Sequence, residues 1–480
     1  MAILLVLGPL AAVLFLNLPH QRLATRLALS VAALVCAAQG LAALAVPPDA
    51  WARTDVAPAW LDLPRLLGGA PRVDALARTT LAAIALVGLC ALSIARYVRT
   101  DREDAFRFAV LLLLAVAGMN GVVIARDLFA LYVFLEITAI ASLVLIVLER
   151  GKLAFEGAFK YLVLSAVATA LVLCGLALLL IVSGGTSFEE IAAGLRHGGG
   201  SRLAAVATAL VLAGLAIKAG VVPFHGWLPD AYGSAPAPVS VLLAGIVTKV
   251  SGVYTLVRLV DAVFSNDPAV LRALLAVGLL SVVAGAAGAL AQRDLRRMLA
   301  YSSVSQVGYV LLGVAAGPGL GVAGAIFHLF NHATFKTLLF VNAAAVEREA
   351  GTRDMDRLGG LGAAMPWTSA TSLVGMLSTA GLPPTAGFWS KLAIVIALWQ
   401  AGHPVAAAVA VLASVATLAY LLGMQRRVFL APAPGGPVAA AEAGAFGLAP
   451  ALLLAALTLG LGLAVPWLFG SFLLPARSFL

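Results

Sequence analysis

The chain has 480 residues, 62% of them hydrophobic and only 11% charged, with a net charge of +9 and a mean hydropathy of +1.04. A water-facing domain of this size needs far more surface charge, so a soluble fold is excluded. A nucleic-acid binder is excluded too, because it would need a soluble basic domain and none interrupts the apolar stretches.

Apolar runs of roughly twenty residues, enough to cross a bilayer as helices, recur from end to end. Barrel strands would instead show ten-residue segments of alternating polarity. The chain therefore reads as an all-α polytopic membrane protein with about fourteen spans. They lie near 2–18, 24–46, 76–98, 106–124, 127–148, 157–183, 203–222, 237–264, 269–291, 300–316, 319–346, 367–398, 405–430 and 447–470. The first is not a cleaved signal peptide, since no basic stretch precedes it and its positive charge (His20, Arg22, Arg26) follows it.

Short-loop charge predicts the orientation. The loops after spans 1, 3, 5, 9, 11 and 13 carry most of the arginine and lysine, including Arg96, Arg99, Arg102, Arg107, Arg150, Lys152, Arg293, Arg296, Arg297, Arg348, Arg353, Arg357, Arg426 and Arg427. The opposite loops hold fewer, mainly Arg53, Arg65, Arg72 and Arg78. Both termini are then expected outside the cell's inner (plasma) membrane, and the +9 charge is mostly a topology signal.

Cys36, Cys90 and Cys174 sit singly within spans and are expected as small buried apolar residues, not ligands of zinc or an iron–sulfur cluster. No glycine-rich nucleotide fingerprint is present, so no cofactor is expected and any electron carrier belongs on another subunit.

Two spans carry prolines in mid-stretch: IKAGVVPFHGWLPDAYGSAPAPVS (217–240) and STAGLPPTAGFWSKLAI (378–394). Proline removes a backbone donor, which predicts discontinuous spans 7 and 12, each with a lysine near its break, Lys218 and Lys391. Five spans separate the breaks, which relates them by inversion. The predicted organisation is 1–104 for spans 1–3, a first inverted five-helix repeat over 105–265, a second over 266–432, and span 14 within 433–480.

A charged group at mid-membrane costs about 2.5–3.5 kcal/mol, yet Glu136, Lys218, Lys249, Lys336 and Lys391 all fall inside spans. Span 11, GAIFHLFNHATFKTLLFVN, adds His328 and His332, which with Lys336 form an i, i+4, i+8 row on one helical face. Two imidazoles and an amine in a row suit proton passage better than metal binding, since no third ligand lies nearby. Glu136 and Lys218 suggest an acid–base pair in which the acid controls the charge on the lysine. His225 and Asp230, beside Trp227 and Pro229, read as residues of a membrane–water edge, either a turn or an entry point. The loop with Arg348, Arg353, Asp354, Asp356 and Arg357 reads as a solvated or docking surface.

These stretches carry a family resemblance. RDLFALYVFLEITAIASLVLI, KYLVLSAVATALVL, the two proline-broken segments, AYSSVSQVGYVLLG and HLFNHATFKTLLF closely resemble the antiporter-like, proton-translocating subunits of respiratory complex I, Mrp-type sodium/proton antiporters and membrane-bound hydrogenases. The likeness runs in order from about residue 105 to 400; the ends match only in hydrophobicity. It implies fourteen helices with two inverted five-helix repeats and broken helices 7 and 12. It further implies that Glu136 and Lys218 are the coupled pair of the first half, Lys249 the bridge, His328, His332 and Lys336 the central relay, and Lys391 the terminal donor. The implied partners are other membrane subunits, protons and, in the antiporter alternative, sodium. No long lateral helix is expected after span 14, unlike the largest of these subunits. The residues alone leave open a redox-driven complex or a D-like Mrp subunit.

Overall fold

The structure, a computed structural model, describes residues 2–18, 21–51, 73–98, 101–197, 201–433, 436 and 439–468. His20, Arg53, Arg65, Arg72 and Arg99 of the orientation signal lie outside the described residues. Helix dominates, and the only β pairing among the described residues is two isolated bridges, Asp127 with Ser187 and Asp294 with Asp354.

Among the described residues, eleven helices are long and apolar enough to cross a membrane. Leu4–Leu16, Leu320–Ala350 and the pair Pro366–Ala380 with Ala386–Gln400 bring the described spans to the fourteen expected. In chain order, spans 1 to 6 are Leu4–Leu16, Gln21–Ala45, Ala75–Tyr97, Arg102–Ile124, Leu128–Ile146 and Lys152–Ser183. Span 7 is broken into 7a, Arg202–Ala219, and 7b, Trp227–Ser234. Spans 8 to 11 are Ala237–Ala262, Pro268–Leu290, Leu295–Ala315 and Leu320–Ala350. Span 12 is broken into 12a, Pro366–Ala380, and 12b, Ala386–Gln400. Spans 13 and 14 are Pro404–Leu430 and Ala445–Leu468.

Local chemistry sets these limits. Asp74, Asp101, Asp127, Asp267 and Asp294 begin spans 3, 4, 5, 9 and 10, each accepting a backbone N–H of the first turn. Gly220 and Gly381 end 7a and 12a in the left-handed region, at φ 65° and 83°, where a side chain would be strained. Span 6 starts five residues before its predicted start. Its 32 residues reach about 48 Å at 1.5 Å per residue, beyond a hydrocarbon core of about 30 Å. A short helix, Phe188–His197, follows it and was not anticipated.

The packing is layered. Of the residues that make spans 8 and 10 apolar, 94% are buried, against 28% for spans 2 and 6, so the central axis is built from 8, 10 and 11 while 2 and 6 face outward. Span 8 is not a regular α-helix: Leu243–Val247 and Lys249–Tyr254 are π-helical. Its Gly252 lies so close to 7a that a Cβ there would come 2.3 Å from the Cα of Ala219. Gln39 and Asn120 exchange amide hydrogen bonds at 2.9 and 2.7 Å, and Asn120 also donates to the Leu5 carbonyl, which ties spans 1, 2 and 4.

Two expectations need correction. Cys36 and Cys90 are buried, but Cys174 is exposed on the outer face of span 6, where lipid takes the place of protein neighbours. The loop after span 11 is not simply solvated: Arg353 pairs with Asp294 at 2.6 Å and donates to the Gly233 carbonyl, and Asp356 meets Arg293 and Arg427. It is a seam joining the ends of 7b, 10, 11 and 13.

Candidate functional site

Glu136 of span 5 and Lys218 of 7a meet. Lys218 Nζ donates to Glu136 Oε1 at 2.9 Å, and the lysine is 7% exposed while a quarter of the Glu136 side chain remains open. Lys218 reaches this point because it lies in the last turn of 7a, just before the Gly220 cap. Thr169 of span 6 donates to the same carboxylate oxygen at 2.6 Å. The carboxylate thus carries two donors on one oxygen, and its charge is held toward the lysine.

Lys249 follows on span 8, 1% exposed, with its ammonium turned to the carbonyl of Ala244 in the π-helical segment before its own. It borders a narrow cavity of about 10 Å³ shared with Thr79, Thr80, Phe330 and Ala333, which brings it against span 11. Thr248, the residue before Lys249, lines the cavity beside Lys218.

The span 11 row is buried completely: His328, His332 and Lys336 are each 0% exposed. The imidazoles lie 6.3 Å apart and nearly parallel. His332 feels the charges of Lys249, Lys336 and Lys391, and has no protein hydrogen bond at either ring nitrogen. Lys336 donates to Ser302 Oγ at 2.7 Å and to the Leu299 carbonyl at 3.2 Å. Ser302 in turn meets the Tyr420 hydroxyl at 2.7 Å. At the other end of the row, His328 Nδ1 contacts Ser390 Oγ at 2.9 Å, one residue before Lys391.

Lys391 is 4% exposed and donates to the Thr379 carbonyl at 2.8 Å and to Ser414 Oγ at 3.3 Å. Its ammonium stands 4.2 Å over the Tyr309 ring, whose other neighbour is His328 at 5.7 Å. A cation over an aromatic face is stabilised without being neutralised.

His225 and Asp230 are not brought into this row. Asp230 is bound by Lys160 at 2.6 Å and Arg297 at 2.7 Å, which makes it a tie between span 6, 7b and span 10. His225 packs against Tyr301 with its Nδ1 buried and unbonded.

The transmembrane family model described as NADH:quinone oxidoreductase/Mrp antiporter matches residues 125–417, from the start of span 5 into span 13. This chain belongs to that family. NADH-quinone oxidoreductase subunit N of Desulforudis audaxviator is 37% identical over 410 residues, covering 83% of this chain and 81% of that protein. A Na(+)/H(+) antiporter subunit of Alkalihalophilus pseudofirmus is 32% identical over 334 residues, covering 69% and 68%. A chain of the Mrp complex from a Dietzia species superposes with a TM-score of 0.89 at 28% identity, covering 100% of this chain and 98% of that one. This member of the NADH:quinone oxidoreductase/Mrp antiporter family is a multi-pass membrane protein.

Sequence reasoning missed the hydroxyl-bearing partners in this family member: Thr169, Ser302, Tyr309, Ser390, Ser414 and Tyr420. Serine, threonine and tyrosine are common in spans, and only their contact with the charged groups singles them out. One signal was available for three of them. AYSSVSQVGYVLLG spaces Ser302 and Tyr309 seven residues apart on one face of span 10, and Ser390 adjoins Lys391.

Proposed function

We propose that this chain moves protons across the membrane as a subunit of a complex I-like NADH–quinone oxidoreductase or a related redox-driven complex, with the other membrane subunits as its partners. The observation that carries this reading is the Lys218–Glu136 pair at 2.9 Å, set at the head of a row of buried lysines and histidines. At that distance the attraction is on the order of 5 kcal/mol at an effective dielectric near 20, less the screening that a part-open carboxylate receives. Withdrawing Glu136 therefore decides whether Lys218 keeps its proton.

The sequence of events begins when chemistry on a partner subunit shifts Glu136. Lys218 then gives its proton toward Lys249 and on to His332, His328 and Lys336. Neutral imidazole can accept at one nitrogen and donate from the other, so His332 with both nitrogens unbonded fits a relay position. Lys391 exchanges with the far side. In this reading the protein sits in the inner (plasma) membrane with both termini outside, and residues 105–265 and 266–432 act as two inverted halves. The test is proton pumping by the assembled complex in sealed vesicles. Lys218→Ala should abolish it, and pumping at the wild-type rate would remove the central step.

A second reading, a D-like subunit of a multisubunit Na+/H+ antiporter, is favoured by the superposition on the Mrp chain. Sodium-dependent proton movement in vesicles without an electron donor would support it over the first.

A further inference from the structure

Lys218 borders a narrow cavity of about 10 Å³, also lined by Tyr161, Ser165, Trp227, Thr248 and Ser251. That is room for about one water. Between spans 5 and 6 runs a separate groove of about 360 Å³, open at the side of the molecule and holding Glu136 and Thr169. Three residues line both spaces: Ala139, Tyr161 and Ser165. They are the partition between the buried water site and the groove.

Only two of the three can pass a proton. Ala139 presents a methyl group, whereas Tyr161 and Ser165 present hydroxyls, and Ser142 and Ser165 are near neighbours of Tyr161. A hydroxyl accepts one proton as it releases its own, so it transmits without holding charge. The opposite wall offers a different hydroxyl, Thr248, bonded to Tyr232 at 2.7 Å. Both of these are sealed, at 2% and 0% exposure, and Tyr232 borders neither the cavity nor the groove.

We infer that Tyr161 and Ser165 form a hydroxyl gate through which Lys218 exchanges its proton sideways with the groove beside Glu136. The inference rests on the proton-moving reading above. When the ion pair opens and Lys218 is a neutral amine, a protonated side chain of a partner subunit covering the groove gives one proton to this hydroxyl pair and is left as its conjugate base. The pair passes one of its own protons to the cavity water, which protonates the amine. The hydroxyls end unchanged apart from the direction of their O–H bonds. Closing the pair again returns Lys218 to Glu136 and fills the acceptor that drew the proton in.

The test uses the assembled complex in sealed vesicles, with electron transfer and complex content measured alongside pumping. Tyr161→Phe keeps the ring that packs edge-on against Trp227 at 5.0 Å, and Ser165→Ala removes only one oxygen. The double variant should pump at least about tenfold more slowly than wild type, in the range that loss of a positioned proton-transfer group produces. If the double variant does not assemble, the two single variants are measured, and each should pump more slowly than wild type. Wild-type pumping in the double variant, or in both singles, with Lys218→Ala inactive would overturn the gate and leave the function standing. Loss in Thr248→Val with the double variant unaffected would also overturn it, routing protons through Tyr232. Wild-type pumping in Lys218→Ala would overturn the function and the gate together.

Discussion

Lys391 Nζ donates to the carbonyl of Thr379 at 2.8 Å, and Thr379 occupies in span 12 the place that Lys218 occupies in span 7. Each residue stands two before the glycine that caps its half-helix, Gly381 or Gly220, and five before a proline, Pro384 or Pro223. In span 7 the ammonium hangs from the first half-helix. In span 12 it hangs from the second and folds back to the same point. Both breaks therefore place one amine at the frayed end of the first half-helix, where unpaired carbonyls are available to it.

From this follows the first expectation. Lys391→Ala leaves Tyr309 and Ser414 joined to each other at 2.9 Å but removes the amine between them. Proton pumping by the assembled complex should fall by at least about tenfold. Undiminished flux, measured with a pH-sensitive dye in vesicles, would show that this amine is not used.

Glu136→Gln separates charge from shape. The amide oxygen can still accept from Thr169 and Lys218, so the local geometry is kept. The counter-charge is lost, and coupling should fall more steeply than assembly. Measuring both in one preparation distinguishes this from a packing defect, which would lower the two together.

Ser302→Ala probes the support of Lys336. It removes the 2.7 Å partner while the Leu299 carbonyl remains at 3.2 Å. A single hydrogen bond of about 0.5–1.5 kcal/mol corresponds to roughly a two- to tenfold slower rate. Tyr420→Phe, one bond further away, should cost less. A larger loss in Tyr420→Phe than in Ser302→Ala would contradict the order in which the two stand from the amine.

Asp74 tests stability, not transport. It caps span 3 and pairs in a two-pronged contact with the buried Arg258, with Arg126 at 3.9 Å. Asp74→Asn leaves a guanidinium buried without its counter-charge, a loss on the order of 3–5 kcal/mol. It should lower the thermal unfolding temperature of the purified protein in detergent.

The same carboxylate gives a pH signature. Burial pushes the Asp74 carboxyl upward, but Arg258 and Arg126 outweigh it and hold the carboxyl below its ordinary value of 3.8. A group whose folded value is depressed stabilises the fold above its unfolded value and loses that contribution as pH falls through the folded one. Below about pH 4 the wild type should therefore lose stability more steeply than Asp74→Asn, and parallel pH curves would contradict the pairing.

The spans were legible because hydrocarbon imposes a length and polarity rule that each segment must satisfy alone. Both helix breaks were legible for a similar reason, since Pro223 and Pro384 cannot continue a hydrogen-bonded ladder. The face shared by His328, His332 and Lys336 follows from helical period, with no knowledge of neighbours. The π-helical segments of span 8 were not legible, because nothing in GIVTKVSGVY departs from ordinary helical composition. The ion-pair partners of Asp230 were not legible, since Lys160 and Arg297 lie 70 and 67 positions away in the chain.

The order of residues determined by itself that this chain crosses a membrane, where it breaks, and which ionisable groups lie within its apolar stretches. Those are costs paid residue by residue against lipid, so they can be counted along the chain. Only the tertiary structure decided that Thr169 shares the Glu136 oxygen that Lys218 meets, and that Tyr161 and Ser165 stand between a small cavity and a groove. Such contacts join helices far apart in sequence, and a side chain's partner there depends on how whole helices lean together.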